Sequence, residues 1–250
     1  MIDLPFEKDI PYKKHKKSYL QQAVVFLRFS EGSRASQDTL VMNKAWNAFT
    51  QSNFSLDGGV FKSENVISKV DNSVDYVFAQ NFAAVRIPGE NYVSFGDTLV
   101  PHVYKMKKFL KDVLNIGCLS QYEIRKWDAW QIQNSNKNDN FENLVKTFFL
   151  SDEFLNYNEY VVNAIDLVEN EKLVKALRWS DSGKKYEINS TMLGNGTKDD
   201  IVNLILYSNG VVCENIPLDK LEDSLDSLNL ALYKMFDWSI SKNSKDLMDK

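Results

Sequence analysis

The sequence predicts an α+β fold, with antiparallel sheet covered by long amphipathic helices. Three observations lead there. Short segments of β-forming residues run twice into one long helical segment, residues 97–115 and then residues 218–240. Leu99, Val103, Met106, Leu110 and Val113 recur at steps of four and three, and Leu221, Leu225, Leu228, Leu232 and Met235 repeat that spacing. Such spacing draws one apolar line down a helix, enough to cover one face of a sheet. Connections between successive strands are short, which favours antiparallel pairing because parallel neighbours need long crossovers. Strands followed by a helix, used twice, is an α+β order rather than a βαβ alternation.

Residues 1–18 read as an N-terminal arm, since Lys13, Lys14, His15, Lys16 and Lys17 are too charged to pack. A buried strand follows over residues 20–29, carried by Val24, Val25, Phe26, Leu27 and Phe29. Asp57-Gly58-Gly59 predicts a hairpin turn between Phe54 and Phe61. Residues 74–80 and 83–87 read as two strands, closed by a turn at Pro88-Gly89-Glu90-Asn91. On the first long helix Asp97 is the expected N-cap, Pro101 fits the first turn, and Gly117 is the expected C′ residue. Residues 122–133 form an aromatic-rich strand, and the polar run 134–140 marks a boundary between halves.

Beyond that run, residues 141–150 read as a short helix. Strands are expected over 161–167, 173–179, 186–192 and 201–207. Turn chemistry separates them at Glu169-Asn170-Glu171, Asp181-Ser182-Gly183 and Gly194-Asn195-Gly196, and ends the last at Ser208-Asn209-Gly210. Pro217 starts the final helix, and Lys242-Asn243-Ser244 ends it before a polar tail. The organisation is an arm at 1–18, a sheet-plus-helix half at 19–133 and a second at 141–241. The two halves are structurally similar units or parts of one compact domain.

Composition narrows the class. At 250 residues, 44% hydrophobic and 26% charged, the chain can bury a full core without staples. A net charge of −4 speaks against a free-standing binder of duplex DNA. Cys118 and Cys213 form no CxxC pair and read as two free thiols in a reducing compartment. Residues 1–7 do not resemble a signal peptide, and no apolar stretch approaches the ~20 residues of a membrane helix. The expected location is the cytoplasm, with no membrane contact.

Histidine is nearly absent. A Ser-His-Asp or Cys-His arrangement would have to use His15 or His102. Cys118 and His102 flank one helix at opposite ends, about 24 Å apart, and zinc sites of Cys and His are equally disfavoured. Gly194-Asn195-Gly196-Thr197-Lys198 lacks the phosphate-loop spacing. Catalytic residues, cofactors and metals are therefore not expected.

Some residues remain as candidates. Glu123 and Asp128 are the acidic groups a metal-dependent nuclease could use. Strand alternation puts Lys126 with Asp128 on one face and Glu123 with Arg125 on the other. The plainer reading is a solvated sheet face. Lys13, Lys14, Lys16 and Lys17, with Lys105 and Lys108 on the first long helix and Arg125, could contact nucleic acid or an acidic partner. Lys107 and Lys111 share that helix, and its lysines also suit a solvated face. Trp127, Trp130 and Trp179 could stack bases, but tryptophan in strands more often fills a core.

Residues 19–29, from Tyr19 through Val24, Val25, Phe26 and Leu27 to Phe29, resemble the opening strand of a family of uncharacterised proteins distributed sporadically among bacteria and archaea. Residues 100–114 and the strand Ile124-Arg125-Lys126-Trp127-Asp128 are similar to its central helix and its R-Y-I-N strand. Residues 228–240 resemble its closing helix. Here Gln21 or Gln22 stands where that family has an acidic residue, and Asp128 stands for Asn. The resemblance implies a prokaryotic, defence-type setting and brings no catalytic residues with it.

The expected function is therefore a non-catalytic cytoplasmic interaction protein, a subunit or partner-binding component with a protein partner. The alternative is a nucleic-acid-binding protein or metal-dependent nuclease. Nothing in the sequence fixes the oligomeric state.

Overall fold

A computed structural model describes residues 4–7, 13, 15–29, 60–62, 66–71, 74–79, 81–112, 114–133, 141–162, 165, 167, 171–193 and 201–250. Its strands are β1 (Leu20–Arg28), β2 (Val60–Lys62), β3 (Val66–Asp71), β4 (Val74–Ala79), β5 (Phe82–Pro88), β6 (Cys118–Leu119), β7 (Gln121–Gln133), β8 (Glu171–Asp181), β9 (Lys184–Leu193), β10 (Ile201–Val212) and β11 (Ile216–Pro217). Its helices are α1 (Val100–Asp112), α2 (Phe141–Leu144), α3 (Asp152–Asn156), α4 (Leu221–Ser239) and α5 (Lys242–Met248). The fold is α+β with mainly antiparallel sheet, as the sequence predicts. The chain forms two compact units, one of residues 22–124 and 211–228, the other of residues 1–21, 125–210 and 229–250.

In the first unit the strand order is β2-β3-β4-β5-β1. Register explains its core. Tyr76 lies opposite Val85 and Phe78 opposite Ala83, while Val25 also faces Val85 and Leu27 faces Ala83. Directly paired residues share a sheet face, so these six side chains form one wall, and all are buried. Helix α1 closes it: the Phe109 ring sits 4.5 Å from the Phe78 ring, and Leu99, Val103, Met106 and Leu110 are buried. The opposite face carries Asp75 paired with Arg86, and Arg28 lies over the Phe82 ring at 5.6 Å.

Helix α1 begins and ends differently from the sequence expectation. Ser94, not Asp97, is the N-cap: its Oγ accepts the Asp97 N–H at 3.0 Å and donates to the Asp97 carboxylate at 2.7 Å. A π-helical turn over Phe95–Leu99 leads into the α-helix. Pro101 explains the wider turn, since its ring would crowd the carbonyl four residues back in a regular helix. At the other end Asn115, at φ 53°, takes the left-handed position expected of Gly117, and Ile116 N–H bonds Leu110 C=O at 2.9 Å. This closure, one residue wider than the usual cap, ends the helix without glycine, because asparagine tolerates the left-handed conformation.

In the second unit the strand order is β7-β10-β9-β8. Ser182 (φ 48°) and Gly183 (φ 84°) join β8 to β9 with two positive φ values, the turn that matches strand twist. Leu177, Trp179, Tyr186 and Ile188 share the buried face of this hairpin. Two departures from the sequence reading have simple causes. Ser208, Asn209 and Gly210 continue β10 rather than turning, with Ser208 and Gly210 buried. Turn-forming composition yields there to ladder hydrogen bonds. The tail after Ser241 is helix α5, capped by Ser241 and anchored by buried Ser244 and Met248. Its Ser244 Oγ donates to Phe149 C=O at 2.9 Å.

Residues 141–150 form α2 followed by a π-helical turn over Val145–Phe149. Where a strand was expected over 161–167, Val161 makes a single antiparallel bridge to Leu177, and Val162, Ile165 and Leu167 are not in a strand. The hairpin expected at Asp57-Gly58-Gly59, the run 134–140 and the turn at Gly194-Asn195-Gly196 lie outside the described residues.

Candidate functional site

The structure does not bring the sequence-predicted site residues together: Glu123, Arg125 and Asp128 lie on β7, Lys105 and Lys108 on α1, and Lys13, Lys16 and Lys17 in the N-terminal segment. Odd and even positions along β7 point to opposite faces. Lys126, Asp128, Trp130 and Ile132 take one face, and Arg125, Trp127 and Ala129 the other. The even face is covered, not solvated. Trp130 stacks on Phe236 of α4 at 6.1 Å, and the Lys126 ammonium donates to the Asn229 side-chain carbonyl at 2.6 Å. Asp128 is buried alongside.

Burial drives both members of this pair toward neutrality. Desolvation lifts the Asp128 carboxyl to about 7, with the nearby Lys126 charge opposing the rise. Desolvation lowers the Lys126 ammonium to about 8, with Asp128 opposing the fall. The arrangement is a buried acid–base pair with an amide at one end, and Asn229 is the member that sequence reasoning missed. Only the contact between strand and helix reveals it.

Glu123 is also buried, five residues from Asp128 and hence directed to the other face of the strand. Among the described residues, no group of three or more His, Cys, Asp or Glu side chains could hold a metal ion. Arg125 is half-buried, and Trp127 packs on Tyr207 at 5.0 Å. Trp130 and Trp179 are core residues.

The lysines are divided. On α1, Lys107 pairs with Glu222 at 2.7 Å and Lys111 with Asp219 at 3.3 Å, while Lys105 and Lys108 are exposed. The N-terminal segment departs from the expected arm. Phe6 is buried, Lys13 pairs with Asp249, and His15 Nδ1 lies 3.0 Å from the same carboxylate. Lys13 and His15 hold Asp249 below the usual carboxylate range, mainly through their hydrogen bonds. Lys16 and Lys17 are exposed, and Lys14 lies outside the described residues. Charge alone suggested a solvated arm. The apolar Phe6 after Pro5 was the signal that it packs.

Neither a protein-family model nor a curated protein matches this sequence. Its function rests on its own residues.

Among the described residues, no helix is long and apolar enough to cross a membrane. Cys118 and Cys213 are free and exposed. Cys118 lies opposite Pro217 in the β6–β11 ladder, four residues from Cys213, which keeps the two thiols apart in register.

Proposed function

We propose that this protein is a non-catalytic interaction protein that receives an extended segment of a protein partner along β8. The supporting observation is a groove of about 460 Å³ on that strand, in which Leu155, Val161, Val162, Leu173, Val174 and Ala176 are interleaved with Asn156, Asn158 and two lysines. Strand β8 ends the order of described strands, and it already accepts backbone from its own chain. Val162 N–H donates to Ala176 C=O and Arg178 N–H to Tyr160 C=O, each at 3.0 Å.

Tyr160 adds to this reading. It holds φ 56°, uncommon for a bulky residue, and is 44% exposed beside 42%-exposed Val161. Strand addition supplies main-chain hydrogen bonds, and alternate side chains entering a groove supply selectivity. Lys146 and Lys175 also line the groove, which favours an acidic residue in the bound segment. The prokaryotic, defence-type setting implied by the sequence resemblance belongs to the same proposal.

The test is purification of the tagged chain from its native host, beside a Val161→Asp variant. One partner should co-purify in a fixed ratio with the parent chain and be lost with the variant. A partner that binds both equally would place recognition elsewhere and overturn the β8 reading.

A further inference from the structure

We propose that Lys126 and Asn229 become joined by a covalent amide bond, formed by the folded chain itself as the lysine amine displaces ammonia from the asparagine side chain. The inference is independent of the β8 groove.

The reacting groups already meet. Lys126 Nζ lies 2.6 Å from Asn229 Oδ1, so the amine touches the amide it attacks. Both residues belong to one compact unit, Lys126 on β7 and Asn229 on α4. Asp128 leaves β7 on the same face as Lys126 and is 8% exposed. Trp130, next on that face, stacks on Phe236 of α4 at 6.1 Å, which holds strand and helix together beside the contact. A nucleophile held against its target in fixed geometry reacts as if at very high concentration. Lys126 and Asn229 are half-buried, so the released ammonia has a way out.

An asparagine amide is inert toward a protonated lysine in water. Two conditions must change, and both do here. The amine must be neutral to offer its lone pair, and burial lowers the Lys126 ammonium to about 8. The amide oxygen needs an acid as it gains charge, and burial lifts the Asp128 carboxyl to about 7.

The step balances without a co-reactant. Nζ bonds to Asn229 Cγ while Oδ1 takes the Asp128 proton. The Asp128 carboxylate then removes a proton from Nζ and passes it to Nδ2. The Cγ–Nδ2 bond breaks, and the Oδ1 proton returns to Asp128 as the carbonyl re-forms. Ammonia leaves, and Asp128 ends protonated, as it began. The ionisation of the Lys126–Asp128 pair, with the stability and pH effects that follow from it, belongs to the unlinked chain. The new bond spans 103 positions, and a cross-link over so long a loop restrains the unfolded state.

The test is the intact mass of the full chain, measured unfolded after incubation in the folded state near pH 8, where the neutral amine is populated. The mass should fall short of the sequence mass by one molecule of ammonia. Proteolysis should yield a branched peptide that joins the stretch around Lys126 to the stretch around Asn229. Lys126→Arg and Asn229→Ala should each keep the full mass. Asp128→Ala should form the link about a hundredfold more slowly, a usual loss when an acid–base group is removed.

A parent chain that keeps its full mass overturns the proposal, whatever the variants do. So does a loss of ammonia that survives Lys126→Arg and gives no branched peptide, since Asn229 can also release ammonia by closing on the Leu230 amide. Equal rates with and without the Asp128 carboxyl, in a variant whose circular dichroism matches the parent, would overturn the role given to Asp128.

Discussion

Lys126 and Asp128 leave β7 on the same face, two residues apart, with Asp128 buried and Lys126 half-buried where it reaches Asn229. Removing one partner leaves the other charge uncompensated, which usually costs about 3–5 kcal/mol. Lys126→Met and Asp128→Asn should each lower stability by an amount of that order. Replacing both, as Lys126→Met with Asp128→Leu, should be neutral or stabilising by about 1–4 kcal/mol. Urea unfolding of the three variants checks this. A double variant less stable than either single one would show that the pair holds the fold.

The same pair gives stability a pH signature. Asp128 is raised from 3.8 to about 7, so its contribution is complete below its ordinary value and lost as pH rises through 7. Lys126 is lowered from 10.5 to about 8, so its contribution is complete above its ordinary value and lost as pH falls through 8. The pair therefore helps least between about pH 7 and 8. The stability advantage of the apolar double variant over the parent should peak in that window. A difference that stays flat from pH 4 to 10 would refute the assignment.

The helix lines make a simpler test. Leu110 is 0% and Leu228 3% exposed. Truncating either to Ala should cost about 2–5 kcal/mol, the range for buried leucine. Unchanged denaturation midpoints for both would mean that these helices do not carry the core.

Both thiols are exposed and unlinked, so an aromatic disulfide reagent should titrate Cys118 and Cys213 in the folded protein without denaturant. Reaction of neither thiol until the chain is unfolded would contradict their placement.

The helices were legible because four-three spacing has one geometric meaning, and Leu99 through Leu110 and Leu221 through Met235 are buried as that spacing requires. Turn chemistry was legible at Ser182–Gly183, where two positive φ values demand small or polar residues. It misled at Ser208–Gly210, where the same residue types sit inside a ladder and the long-range pairing decides. The β7 pairing of Lys126 with Asp128 was readable from period two alone. Their burial was not, because it depends on Asn229, a hundred residues later, and local composition does not record that contact. Phe6 and Asp249 were hidden for the same reason: their partners lie at the other end of the chain.

The final expectation concerns nuclease activity. The purified protein should not cleave DNA or RNA with Mg²⁺ or Mn²⁺. Two-metal chemistry needs carboxylates converging on one point, and strand alternation directs Glu123 and Asp128 to opposite faces. Asp128 also has the Lys126 ammonium beside it, whose charge repels a cation, and burial favours its protonated form near neutral pH. Nucleic-acid affinity should likewise be weak at physiological salt, because Lys107 and Lys111 already face Glu222 and Asp219 and Lys13 faces Asp249. Fluorescence anisotropy with labelled duplex and single strands measures the binding, and a gel assay the cleavage. Sub-micromolar affinity that falls when Lys16, Lys17, Lys105 and Lys108 are replaced would favour the nucleic-acid reading. Metal-dependent cleavage abolished by Asp128→Ala in a folded protein would establish an active site on β7 and displace the interaction reading.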